Sequence, residues 1–140
     1  MAEAAPSPGA IYRPAQYLLI EQDHKDIAAL VGAGIPRTQA VILLTLHRYG
    51  NGIQITSRWI ERVSDLRQPE VSIAMNSFKS AGLITTTEEK SQSKGRPVKV
   101  YHVQGDIAKY VRDKIGERLA ELNKGVMAVN RIFTAKGATA

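Results

Sequence analysis

Thr56-Ser57-Arg58-Trp59-Ile60-Glu61-Arg62-Val63-Ser64-Asp65-Leu66-Arg67-Gln68-Pro69-Glu70-Val71-Ser72-Ile73-Ala74-Met75-Asn76-Ser77-Phe78 reads as two short helices joined by a tight turn. Thr56 supplies the side-chain oxygen an N-cap needs. Beyond it Ile60 and Val63 point one way and Arg58, Glu61 and Arg62 the other, which predicts a helix over 57–65. Proline fits only the first turn of a helix, so Pro69 fixes the next start at Gln68 or Pro69. That helix runs to Ser80 and stops at Ala81-Gly82. Val71, Met75 and Phe78 recur at helical spacing and face a core, leaving Gln68, Glu70, Ser72, Ile73, Asn76 and Lys79 on other faces.

Working outward, the pattern after Gly82 changes to β: 83–87 and 98–103 are strand-prone, and the polar, turn-rich 90–97 makes a hairpin tip. Upstream, Ile53-Gln54-Ile55 alternates as a very short strand, and 36–49 forms a helix with Pro36 in its first turn. Its residues 40–46 are so apolar that it is expected to be central and buried. Asp23 is expected to cap a first helix whose Ile27, Leu30 and Val31 share a face, ending around Gly32-Ala33-Gly34. Asp106 is expected to cap a long last helix to about Phe133. Its apolar Ile115, Leu119, Leu122, Val126, Val129 and Phe133 are spaced 4, 3, 4, 3, 4, a heptad seam suited to a dimer interface. Residues 1–10 are too poor in apolar side chains to order and are expected to form a flexible arm, as is 135–140 a flexible tail. The folding unit is then 11–104, with 105–134 as a dimerisation helix.

The 140 residues suit one core with appendages. No cysteine is present, which removes disulfides, thiolate metal sites and a cysteine nucleophile. No apolar run approaches the roughly 20 residues of a membrane span, and the first residues lack the basic and apolar regions of a signal peptide, so a cytoplasmic location is expected. Nineteen Lys and Arg oppose thirteen Asp and Glu, for a net charge of +6. Residues 1–55 balance; 56–103 and 104–140 each contribute three net positive charges. The excess starts where the two short helices start, and it points to a polyanionic partner.

Helix, short strand, helix, tight turn, helix and hairpin is the order of a winged helix-turn-helix. The sequence resembles winged-helix transcriptional regulators of the ArsR/MarR type, most of all archaeal ones, in Leu66-Arg67-Gln68-Pro69-Glu70-Val71-Ser72 and in Lys94-Gly95-Arg96-Pro97. The resemblance covers residues 36–103. It implies a mainly α fold with a small β-hairpin, a recognition helix opened by the first motif and a wing marked by the second. Ser64-Asp65 departs from the pattern, because many helix-turn-helix sequences have Gly in that turn.

The residues themselves suit that chemistry. Asn and Gln can pair bidentately with adenine, Ser can reach a base or phosphate, and Ile73 can meet a thymine methyl. Glu70 is either an acceptor for cytosine N4 or a partner of the helix dipole. Arg58, Arg62, Arg67 and Lys79 flank this face, and Lys90, Lys94, Arg96 and Lys99 charge the tip without an acid among them. Gly95 and Pro97 slim and straighten the backbone beside Arg96, which suits a narrow minor groove. Enzyme chemistry finds no convergent groups: His24, His47 and His102 fall in three elements without metal-ligand spacing, and no phosphate-binding glycine loop occurs. No cofactor or metal is expected, and Trp59 is read as packing between helices. The expected function is a sequence-specific, homodimeric regulator bound to double-stranded DNA on the nucleoid. A winged-helix protein-interaction module and a nonspecific architectural chromatin protein stand as alternatives.

Overall fold

The computed structural model describes residues 19–90 and 97–134. In chain order it holds α1 (Glu21–Gly32), α2 (Arg37–Tyr49), α3 (Ser57–Ser64), α4 (Gln68–Ser80), β1 (Ile84–Glu89), β2 (Val98–Val103) and α5 (Ile107–Thr134). The expected arm at 1–10, the tail at 135–140 and the tip residues Lys94, Gly95 and Arg96 lie outside the described residues.

Helix α2 is the centre because its residues 40–46 are buried without a break. A helix apolar on one stripe covers one neighbour, whereas a helix apolar all round needs partners on every side. Two clusters provide them. Ile42, Leu43 and Leu46 join Ile60 of α3, Val71, Met75 and Phe78 of α4, and Leu83 and Ile84 at the start of the hairpin. Ala40, Val41 and Leu44 join Ile27 of α1 and Ile35. The first turns of α5 close both clusters: Tyr110 sets its ring edge-to-face with Phe78 at 5.7 Å, and Val111 touches each cluster. Trp59 is half-buried against the first cluster, in the packing role the sequence suggested.

The caps explain where the helices begin. The Thr56 hydroxyl accepts from Trp59 N at 3.2 Å, and the Asp106 carboxylate accepts from Lys109 N at 3.2 Å, both as expected. Two starts differ from the sequence reading. Helix α1 begins earlier, with Ile20 as its N-cap, and Asp23 reaches back from the third helical position to accept from Ile20 N at 2.8 Å. Pro36 is the N-cap of α2 rather than a residue of its first turn. Of the expected apolar face of α1, Ile27 is buried and Leu30 partly buried, but Val31 is exposed because α2 covers only one side of the helix.

β1 pairs antiparallel with β2, Ile84 opposite Val103 through Glu89 opposite Val98. The first strand starts one residue later and ends two later than 83–87, since Leu83 belongs to the turn. There Gly82, at φ +80°, lets Leu83 N donate to Phe78 O at 3.0 Å and closes α4. The strand expected at 53–55 shrinks to one bridge, Tyr101 N to Ile55 O at 2.8 Å, on the free edge of β2.

Candidate nucleic-acid interface

The turn between α3 and α4 is built without glycine. Asp65 takes the left-handed conformation itself, at φ +58°. Among non-glycine residues Asp and Asn adopt it most readily. That left-handed residue ends α3 at Ser64, one residue before the predicted 65, and the buried Ser64 hydroxyl donates to Ile60 O. Arg67 is the N-cap of α4, and its backbone N–H donates to the Glu70 carboxylate at 2.8 Å. Glu70 thereby caps the first turn of α4.

Helix α4 is divided cleanly. Val71, Ala74, Met75 and Phe78 are buried, each at 2% exposure or less. Gln68, Glu70, Ile73, Asn76 and Lys79 are exposed, Ser72 is half-buried, and Ile73 stands 71% exposed. Ser77 and Ser80 share the exposed side and extend the set named from sequence. Their spacing of four and seven residues from Ile73 is the signal that locates them.

The bases named from sequence that the structure describes are all exposed: Arg58 and Arg62 on α3, Arg67 in the turn, Lys79 at the end of α4, Lys90 just after β1 and Lys99 on β2. Among the described residues no carboxylate lies within 4 Å of any of these six cations, whereas Lys25, Arg48, Lys109, Lys114 and Arg118 are ion-paired elsewhere. Two nearby acids are occupied by neutral partners: Glu61 accepts from the Ser57 hydroxyl at 2.8 Å and Glu89 from Gln54 Nε2 at 3.0 Å. Glu88 sits opposite Lys99 in the strand register. Of the histidines, His24 and His47 are exposed, and His102 pairs its Nε2 with the Thr87 hydroxyl at 2.9 Å.

One polar cluster was not legible as such in the sequence. Asp23 is buried, and its carboxylate accepts from the Tyr49 hydroxyl at 2.6 Å, from Ile20 N and from the Arg48 guanidinium, which also binds Asp26. Burial pushes the Asp23 carboxyl up, but the bonds from Tyr49, Ile20 and Arg48 outweigh it and hold the group below its ordinary value. Burial, helped by the bond to Asp23, pushes the Tyr49 hydroxyl up to about 12. The cluster ties α1 to the end of α2.

Of the seam on α5, Ile115 is half-buried against the chain's own second cluster. Leu119, Leu122, Val126, Val129 and Phe133 are each more than half exposed, and no residue of α5 is fully buried. Among the described residues no helix is long and apolar enough to cross a membrane.

Residues 33–96 match the MarR family. The match spans α2, α3, α4 and β1, and leaves α1, β2 and α5 outside. Proteins of that family are winged-helix, DNA-binding transcription regulators, and the matched segment holds both short helices and the turn between them. No curated protein and no solved structure matches the chain.

Proposed function

We propose, for a chain whose central segment is of MarR type, that it is a sequence-specific regulator of double-stranded DNA of the kind found in archaea, acting on the nucleoid in the cytoplasm. Helix α4 enters the major groove and reads bases with Gln68, Ser72, Ile73 and Asn76. Lys79, Arg58, Arg62 and Arg67 neutralise flanking phosphates, and Glu70 holds the first turn of α4 in shape. Lys90, Lys94, Arg96 and Lys99 on the wing take the backbone or the minor groove, with Gly95 keeping the tip slim. A second copy, joined through α5, supplies the other half-site. The observation that carries this reading is the division of α4, an apolar face fixed in the core and an exposed face of short hydrogen-bonding groups and one bare isoleucine, on a chain whose exposed Arg58, Arg62, Arg67, Lys79, Lys90 and Lys99 have no carboxylate partner among the described residues.

Selection from a random DNA pool, followed by competition of the selected site with random duplex, tests it. The expected site is a pseudo-palindrome with half-sites about one helical turn, or a multiple of it, apart. Asn76→Ala and Gln68→Ala are expected to lower discrimination, at roughly 1–3 kcal/mol for each base contact, more than affinity for random DNA. Equal losses on both DNAs would put recognition elsewhere. A selected pool no tighter than random duplex would favour an architectural protein, and no salt-dependent binding at all a protein-interaction module.

A further inference from the structure

We propose that the exposed half of α5 pairs with α5 of a second copy in antiparallel orientation, with the two-fold axis passing beside Lys124. The proposal rests on the homodimer reading above and adds to it the direction and register of the pairing.

The seam from Leu119 to Phe133 repeats every 3.5 residues on average. A straight helix packed on its own globular core follows 3.6, and the shorter period is the one that keeps a stripe facing another helix. Within one chain this stripe has nothing to cover it: each of its five residues is 51% exposed or more. Two such stripes laid together bury on the order of 1,000 Å², the scale of a specific interface. The flanking positions carry Arg118, Asn123, Gly125, Asn130 and Ile132, while Glu121, Lys124, Met127 and Arg131 fall on the outer side of the helix. An uncharged stripe on a strongly basic chain fits another copy of itself and fits neither nucleic acid nor an acidic surface.

The side-chain sizes select the direction. Antiparallel pairing about Lys124 sets Leu119 against the second copy's Val129 and Leu122 against its Val126, so that every leucine meets a valine. Phe133 reaches Ile115 at the edge of the other copy's core, which makes the interface continuous with the second cluster. The four inner layers, each one leucine and one valine, then hold equal volumes. Parallel pairing stacks leucine on leucine at 119 and 122, valine on valine at 126 and 129 and phenylalanine on phenylalanine at 133, leaving two fuller layers followed by two looser ones. Shifting the antiparallel register by a heptad in either direction strands two seam residues of each helix in water.

Gly125 agrees with this register. A glycine inside a helix costs about 1 kcal/mol against alanine. Around Gly125 a Cβ would meet nothing within 4 Å, so the single chain gives no packing reason for it. In the proposed pair Gly125 lies beside its own symmetry mate, where the absence of a side chain lets the two backbones approach. Asn123 faces its mate on the opposite side of the seam, and the two amides can bond across the axis.

The lack of native cysteine makes the test clean. Full-length Leu119→Cys and Val129→Cys variants, one bearing a size tag, are oxidised separately and mixed. In the proposed pair positions 119 and 129 lie side by side, whereas 119 and its own mate are about 15 Å apart along the axis, beyond disulfide reach. The expected result is a cross-linked dimer from the mixture and none from either variant alone. Cross-linking of each variant with itself would overturn the proposal in favour of a parallel pair. A monomer at micromolar concentration, without cross-links in any combination, would overturn it outright. Gly125→Leu provides a measurement without cysteine: it improves helix propensity in a lone chain, yet should weaken the dimer at least tenfold, and unchanged or tighter dimerisation counts against the register. Binding of the same proteins to selected and random duplex is read in parallel. Cross-linking as expected without any DNA binding would remove the regulator reading and leave the pairing intact, and DNA binding by a monomer would do the reverse.

Discussion

Ile73 offers the sharpest separation of binding from folding. Fully burying an isoleucine side chain is worth about 1.5–3 kcal/mol, and at 71% exposure most of that remains unrealised in the free protein. Ile73→Ala keeps one of the four side-chain carbons, so docking on DNA should lose about 1–1.5 kcal/mol for each α4, and about 2–3 kcal/mol for a two-fold complex. At about 1.4 kcal/mol for each tenfold step, the selected site should be bound roughly 30- to 150-fold more weakly. The fold should not suffer. The side chain contributes little to the core, and alanine is the better helix former, so thermal unfolding should stay within about a degree or rise slightly. Fluorescence anisotropy on the selected duplex, beside a thermal melt of the free protein, reads both quantities. A melt lowered by several degrees with site binding unchanged within about threefold would refute the reasoning, because Ile73 would then be covered by protein rather than by DNA.

Asp65→Gly should leave stability within about 0.5 kcal/mol, while Asp65→Val should cost about 1–2 kcal/mol, because a β-branched residue resists the left-handed turn; chemical denaturation that ranks the two equally would reject the turn assignment. The Asp23 carboxyl titrates lower in the folded chain than its ordinary 3.8, so its contribution is present above about pH 4 and lost as pH falls through the folded value; Asp23→Asn should be less stable at neutral pH and show a flatter acid limb in melts against pH. Tyr49 titrates higher when folded, so its share is complete below about pH 10 and lost between there and about 12; Tyr49→Phe should remove that alkaline loss, and an unchanged alkaline limb would count against the buried bond to Asp23. Replacing Lys94 and Arg96 together by Ala should weaken binding to nearly every duplex and lower the slope of log K against log salt by up to about 0.9 for each phosphate no longer neutralised. Arg96→Lys should keep much of that slope but lose any preference for AT-rich flanks, and an unchanged slope in the double variant would remove the wing from the interface.

Local chemistry alone determined much of this molecule. Thr56 and Asp106 cap helices because a side-chain oxygen beside free backbone N–H groups acts without tertiary help, and Pro69 fixes the start of α4 because its ring fits nowhere deeper in a helix. The split of α4 between Val71, Met75 and Phe78 and its exposed face followed from helical period, and the order of elements followed from the change of period at Gly82. Tertiary structure decided what depends on a distant partner. Asp23 looked like an N-cap; it becomes a buried anion only because the fold brings Arg48 and Tyr49, at the far end of α2, against it. The 53–55 segment has strand character but only Ile55 reaches the edge of β2, so one bridge forms where pattern alone suggested a strand. Ile115 and Leu119 belong to one heptad seam, yet the α1–α2 cluster covers the first and ends before the second, and a repeat of residue types along one helix contains nothing about where its neighbours stop.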